Sequence, residues 1–222
     1  MKRKIVNFSK KVLKGLKKSE EKFIQDIEYG ISSSGSCLIS NIARSLNENI
    51  KIKNTVERLC DNLNSFDNTE DVYNNYINTI GDIYGKEPVA LFDDSDISKS
   101  YGVIKVVRLY FSRWRIEEYF RAKKQEYEFE NIRLRTLKGI NNLNLFLTIH
   151  LSHINKLAEE INTKLLSIKI IEASKSIRNK VIVWMSQFAR GIKKILSYAH
   201  TGIKEWQQIE IRDKYKQLEL KL

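Results

Sequence analysis

Residues 103–125 read VIKVVRLYFSRWRIEEYFRAKKQ, without a proline or a glycine and apolar over much of a helical circumference. That pattern predicts a helix with buried sides. The same scarcity of breakers runs along the whole chain. Pro88 is the only proline, glycine occurs 9 times in 222 residues, and Leu, Ile, Lys and Glu abound. The expected fold class is therefore mainly α.

Charge narrows the partner. Lys and Arg number 39 against 27 Asp and Glu, for a formal charge of +12 and a pI near 9.5. Such an excess favours a polyanion, with nucleic acid ahead of an acidic membrane surface, although a solvated basic surface has the same composition. Cys37 and Cys60 are the only cysteines; they form neither a disulfide framework nor a metal motif, and fit a reducing cytosol. No apolar run approaches the roughly 18 residues of a membrane span. The start MKRKIVNFSKKVLKGLKK is charged but has no apolar core behind it, so it is not read as a signal peptide. A cytoplasmic, nucleoid-associated protein without a membrane partner is expected.

The chain is read in three regions, residues 1–85, 86–140 and 141–222. In the first, residues 2–18 hold eight basic residues and no acid, with Ile5, Phe8, Val12 and Leu16 at helical spacing. This basic amphipathic helix could lie on phosphates or on a membrane, or pack its apolar stripe on the body. Ser19 is a plausible N-cap for a helix to about Tyr29, with Glu20 and Glu21 in its first turn. SSSGS at 32–36 reads as a turn, and 37–46 as a short helix with Leu38, Ile42 and Leu46 on one face. Asn54 or Thr55 then caps a helix carrying Val56, Leu59, Cys60 and Leu63. The pair suits a helix-turn-helix with a DNA-reading helix at 54–64, although any helical bundle contains such pairs, and Glu57, Arg58 and Asp61 do not argue for it.

The second region opens on the only convincing strand, Pro88-Val89-Ala90-Leu91-Phe92, which ends in Asp93-Asp94-Ser95-Asp96. The third contains helical stretches at about 140–162 and 172–199, closed by His200-Thr201-Gly202, and a final charged helix.

Two places could carry chemistry: the carboxylates Asp93, Asp94 and Asp96, and one face of the 103–125 helix. At about 100° per residue, Arg113 lies roughly 60°, Glu117 roughly 20° and Lys124 roughly 40° from Tyr110, with Arg121 close by. A carboxylate can hold Mg²⁺, while Arg and Lys neutralise phosphates. Spacing alone equally describes a salt-bridge ladder, and favours it. His150 and His153, three apart with no third ligand, read as core or surface histidines; Trp114, Trp184 and Trp206 read as packing residues.

The spacing Tyr110-x2-Arg113-x3-Glu117-x6-Lys124 resembles the signature of DDE-type transposases of the group named after insertion sequence four. The surrounding RWRIEEYFRAKKQEYEFENIRLRTLKGINNLN resembles the same group, as do PVALFDDSDISKSYG, where that family has its first catalytic aspartate, and the C-terminal HTGIKEWQQIEIRDKYKQLELKL. The resemblance implies a ribonuclease-H-like core in which two Asp and one Glu bind two Mg²⁺ ions for strand cleavage and transfer. By position it implies Asp94 (or Asp93) as first acid and Glu117 as last, both catalytic and metal-binding. Tyr110, Arg113 and Lys124 would hold terminal DNA phosphates, with Arg121 beside them.

The departure is large. The family's long segment between these acids, with most of the sheet and the second Asp, is replaced here by residues 97–109. No Asp lies between Asp96 and Glu117, and Gly102-Val103 resembles a deletion junction. The expectation is a helical N-terminal region, a one-strand remnant of a ribonuclease-H-like core and a helical C-terminal region. The implied function is transposase-type binding of double-stranded DNA at terminal inverted repeats, with catalysis impaired. The alternative is a non-enzymatic regulator that damps transposition, as a homodimer or paired with intact transposase.

Overall fold

The structure, a computed structural model, describes residues 9–84, 116, 117, 119–159 and 184–197. Its long helices are α1 (Lys18–Ser34), α2 (Ile39–Leu46), α3 (Ile52–Ser65), α4 (Thr69–Tyr84), α5 (Leu137–Glu159) and α6 (Trp184–Ser197). A π-helical turn, Ala122–Glu126, and a 3-10 turn, Phe129–Asn131, lead into α5. The chain is mainly helical, with no strand among the described residues. The expected strand 88–92, and with it the ribonuclease-H remnant, lies outside them.

The apolar repeat dictates the packing. Phe23, Ile24, Ile27 and Ile31 line one side of α1; Leu143, Phe146, Leu147, Leu151 and Ile154 line α5; Phe188, Ile192 and Leu196 line α6. These i, i+3/i+4 stripes meet Leu59 and Leu63 of α3 and Ile42 and Leu46 of α2 in one core. Each large aliphatic side chain removed from water contributes about 1.5–3 kcal/mol. Phe23, Phe66 and Phe146 form its aromatic centre, with ring centroids 5.6–6.2 Å apart and tilted or edge-on contacts. The described parts of the first and last sequence regions thus share one hydrophobic core.

Several expected boundaries move. Ser19 is inside α1 and does not cap it. The N-cap is Lys17, whose backbone N–H donates to Glu20 Oε2 at 3.0 Å, half of a capping box set two residues earlier than the sequence suggested. α1 also continues past Tyr29. Gly30 is no stop: a Cβ there would overlap the Ile42 side chain, so its lack of one permits the close approach of α1 and α2. The helix ends at Gly35, which takes the left-handed conformation (φ 62°) and donates its N–H to Ile31 O at 2.8 Å. The basic helix expected over 2–18 is not continuous. Residues 9–12 are helical, and a turn with Gly15 at φ 89° breaks it before Lys18. Val12 and Leu13 are buried, and Asn75 Nδ2 donates to Val12 O and Lys14 O at 3.2 and 2.8 Å, so residues 12 and 13 pack on the body while Lys11, Lys14, Lys17 and Lys18 face water; Ile5 and Phe8 lie outside the described residues.

α3 starts at Ile52, ahead of the expected caps Asn54 and Thr55. Thr55 is buried and donates to Glu48 Oε2 at 3.0 Å. Arg58 bridges Asp26 and Glu48 at 2.8 and 2.9 Å, pinning α3 to α1 and to the α2–α3 turn. Burial raises the Asp26 carboxyl, against the opposing pull of Arg58.

Candidate functional site

The described end of the signature helix has two unlike sides. Inward, Tyr119 donates to Thr148 Oγ1 at 3.0 Å, and Lys123 donates to Asn144 Oδ1 and Thr148 Oγ1 at 2.7 and 2.9 Å, its ammonium 4.6 Å from the Tyr119 ring centroid. Ala122, Lys123 and Tyr127 are buried against the bundle. Burial, unopposed by any carboxylate hydrogen bond, pushes the Lys123 amine down to about 8. Outward stand Glu117, Arg121 and Lys124, all exposed, beside Ile116 and Phe120. Lys124 pairs with Glu130 at 2.7 Å, both side chains more than half exposed.

Of the six residues expected to form the site, Asp94, Tyr110 and Arg113 lie outside the described residues, as does Asp93. Glu117, Arg121 and Lys124 share the exposed side. Their register is not that of a straight α-helix. The π-turn at Ala122–Glu126 closes i→i+5 bonds, such as Tyr127 N–H to Ala122 O at 3.2 Å, and so advances fewer degrees per residue. Lys124 is therefore rotated away from the position that an unbroken 100° repeat gives it relative to Glu117.

Mg²⁺ takes oxygen ligands in near-octahedral geometry. Glu117 is the one carboxylate of the expected set among the described residues, and no group of three metal-ligating side chains occurs among them. Asp94, the other acid expected to hold a metal, lies outside the described residues.

A second polar constellation, missed in the sequence, is buried between α1 and α5. His150 Nδ1 lies 3.3 Å from Glu28 Oε2 and 3.4 Å from Ser32 Oγ, and its Nε2 lies 3.2 Å from the Tyr127 hydroxyl. The Tyr127 and His150 rings meet edge-on at 5.4 Å. Burial raises the Glu28 carboxyl, opposed by the His150 hydrogen bond, and raises the Tyr127 phenol well above its ordinary range. Burial likewise raises the Cys37 thiol. His153, one turn on, is pushed down to about 3 by burial and then by the charges of His150 and Lys156. Both histidines are core residues. With both His150 nitrogens engaged and every member buried, the cluster joins helices and does not face a substrate. Its sequence signal was a charge at an apolar position: Glu28 falls between Ile24 and Ile31 on the buried stripe, and His150 falls between Leu147 and Leu151.

Asn142 was missed for the same reason. Its Nδ2 donates to Leu63 O and Phe66 O at 2.8 and 3.1 Å, and its Oδ1 accepts from Thr69 Oγ1 at 2.8 Å, closing the end of α3.

No protein-family model matches the chain, and neither a curated protein nor a solved structure matches it. No helix among the described residues is long and apolar enough to cross a membrane.

Proposed function

We propose that this chain is a DNA-binding protein of the insertion-sequence-four transposase type whose two-metal site is incomplete. The observation that carries the reading is the joint occurrence of Tyr110, Arg113, Glu117 and Lys124 in signature spacing with the Asp94 segment, and of no Asp between Asp96 and Glu117. The charge of +12 supports a phosphate partner. So do the exposed Lys11, Lys14, Lys17 and Lys18 and the outward placement of Arg121 and Lys124. Double-stranded DNA at terminal inverted repeats is the proposed ligand, and the nucleoid the proposed location. Mg²⁺ belongs to the family's chemistry, and in this chain the acids to hold a pair of ions are too few.

The test is binding of the purified chain to duplexes carrying the inverted repeats that flank its gene, against scrambled duplexes, followed by incubation with Mg²⁺. Preferential binding without strand cleavage is expected. Equal or absent binding rejects the DNA reading; Mg²⁺-dependent cleavage rejects the lost catalysis. The same lack of an acid favours a second reading, a non-enzymatic regulator that pairs with intact transposase. Co-purification with the full-length enzyme, and reduced transposition when both are present, distinguish it.

A further inference from the structure

The ends of α1, α2 and α6 enclose an open cleft of about 560 Å³, within the range of small-ligand sites. Asn41, Arg44 and Asn47 line it from α2 and its cap, Lys193 from α6, and Tyr29 and Leu196 form its apolar floor. No carboxylate lines it among the described residues. Some cations elsewhere are matched, Arg58 to Asp26 and Glu48, Lys138 to Asp67 and Arg190 to Glu126, while others such as Lys11, Lys14, Lys17 and Lys18 stand exposed outside this cleft. Arg44 and Lys193 have no such partner among the described residues. The Arg44 guanidinium makes one hydrogen bond, from Nη1 to Asn41 Oδ1 at 3.0 Å, which leaves most of its donors unspent. The Lys193 stem lies across Gly35, where a Cβ would come within 2.7 Å of its Cδ.

Three helix C-termini meet here, and their carbonyl ends attract cations. That field helps place Arg44 and Lys193, and protein donors already meet much of it. Gly35 N–H donates to Ile31 O, Asn47 N–H to Arg44 O, Ser45 Oγ to Ile42 O and Ser197 Oγ to Lys194 O. The charged donors of the cleft belong to Arg44 and Lys193.

We infer that this cleft binds a phosphate ester, with Arg44 as the forked donor and Lys193 as the second charge. The ester comes from a duplex backbone or from a free mononucleotide; only the first source rests on the DNA reading. The experiment uses the full chain, with fluorescence anisotropy on a labelled 20-base-pair duplex and on a labelled adenosine monophosphate. Wild type is compared with Arg44→Gln/Lys193→Gln and with the control Lys138→Gln, each shown to be folded by its thermal melt. If the double variant does not fold, Lys193→Met alone is read in its place.

The double variant is expected to lose at least about tenfold in affinity for one probe while the control stays within twofold. If the duplex is that probe, its slope of log K on log salt falls by about 2, one for each lost phosphate contact. A duplex bound equally well by wild type and double variant, with no mononucleotide effect, overturns the cleft and leaves the DNA reading standing. A mononucleotide effect without duplex binding keeps the cleft and removes the DNA reading. Binding of neither probe by wild type overturns both.

Discussion

The inward and outward sides of the segment from Ile116 to Tyr127 follow different rules. Tyr119, Lys123 and Tyr127 point into the bundle, and each has a partner on α5. Glu117, Arg121 and Lys124 point away, and packing constrains them little. The inward side accounts for why the segment sits where it does. The outward side is exposed, and it holds Glu117 and Lys124, the two residues of the proposed signature that are among the described ones. If the proposed function holds, mutations on the inward side should act on stability and those on the outward side on DNA binding.

The largest effect is expected inside. Tyr127→Ala removes a buried ring and the partner of His150 Nε2 and should cost about 3–5 kcal/mol in urea unfolding. Tyr127→Phe keeps the ring and should recover most of that loss. A Tyr127→Ala loss under 1 kcal/mol would break the comparison.

The pH dependence comes next. The folded protein holds His153 neutral down to about 3, whereas the free ring titrates near 6.5. Between those values the unfolded chain binds more protons, so this contribution is present above pH 6.5. It is lost as pH falls toward 3, at roughly 1.4 kcal/mol per pH unit. Glu28 acts with the opposite sign. Its raised carboxyl binds the extra proton in the folded state, so stability falls as pH rises from the ordinary 4.5 through the raised value. Asp26, raised by burial from its ordinary 3.8, acts in the same sense as Glu28. Stability measured at pH 6.5, 5.5 and 4.5 should converge between wild type and His153→Gln as pH falls; parallel curves would contradict the assignment.

Asn142→Ala should cost about 1–3 kcal/mol, because the Leu63 and Phe66 carbonyls and the Thr69 hydroxyl lose their shared partner. On the outward side Lys124→Ala should change stability by no more than about 0.5 kcal/mol, since the exposed pair with Glu130 contributes little. The same change should lower duplex affinity and reduce the salt slope by about 1. Destabilisation without any effect on DNA would reverse the roles given to the two sides.

Much of the fold was legible in the sequence. Leu59 and Leu63, Ile42 and Leu46, and the helices Leu137–Glu159 and Trp184–Ser197 follow from spacing, because burial of an apolar stripe leaves a period of 3.6. The capping at Lys17 was not legible. Ser19 was the better side-chain cap by residue type, but Glu20 reaching the Lys17 N–H fixed an earlier frame. The end expected near Tyr29 was too early, and only the approach of Ile42 shows why a glycine follows inside the helix. The π-turn left no mark on hydrophobic spacing, so the angle between Glu117 and Lys124 was drawn for a regular helix. The Glu28–His150 pair and the Arg44–Lys193 cleft join residues more than 120 positions apart and about 150 positions apart, which single-helix periodicity does not reach.

A salt titration of the purified chain on duplexes that carry any inverted repeats found beside its gene, with Mg²⁺ added at the end, tests the proposed DNA binding without complete catalysis. Preference for the repeats over scrambled duplex, affinity that falls linearly in log–log salt, and uncut strands after Mg²⁺ is added are expected of the proposed function. Absence of binding at low salt, indifference to the repeats, or Mg²⁺-dependent strand cleavage would contradict it.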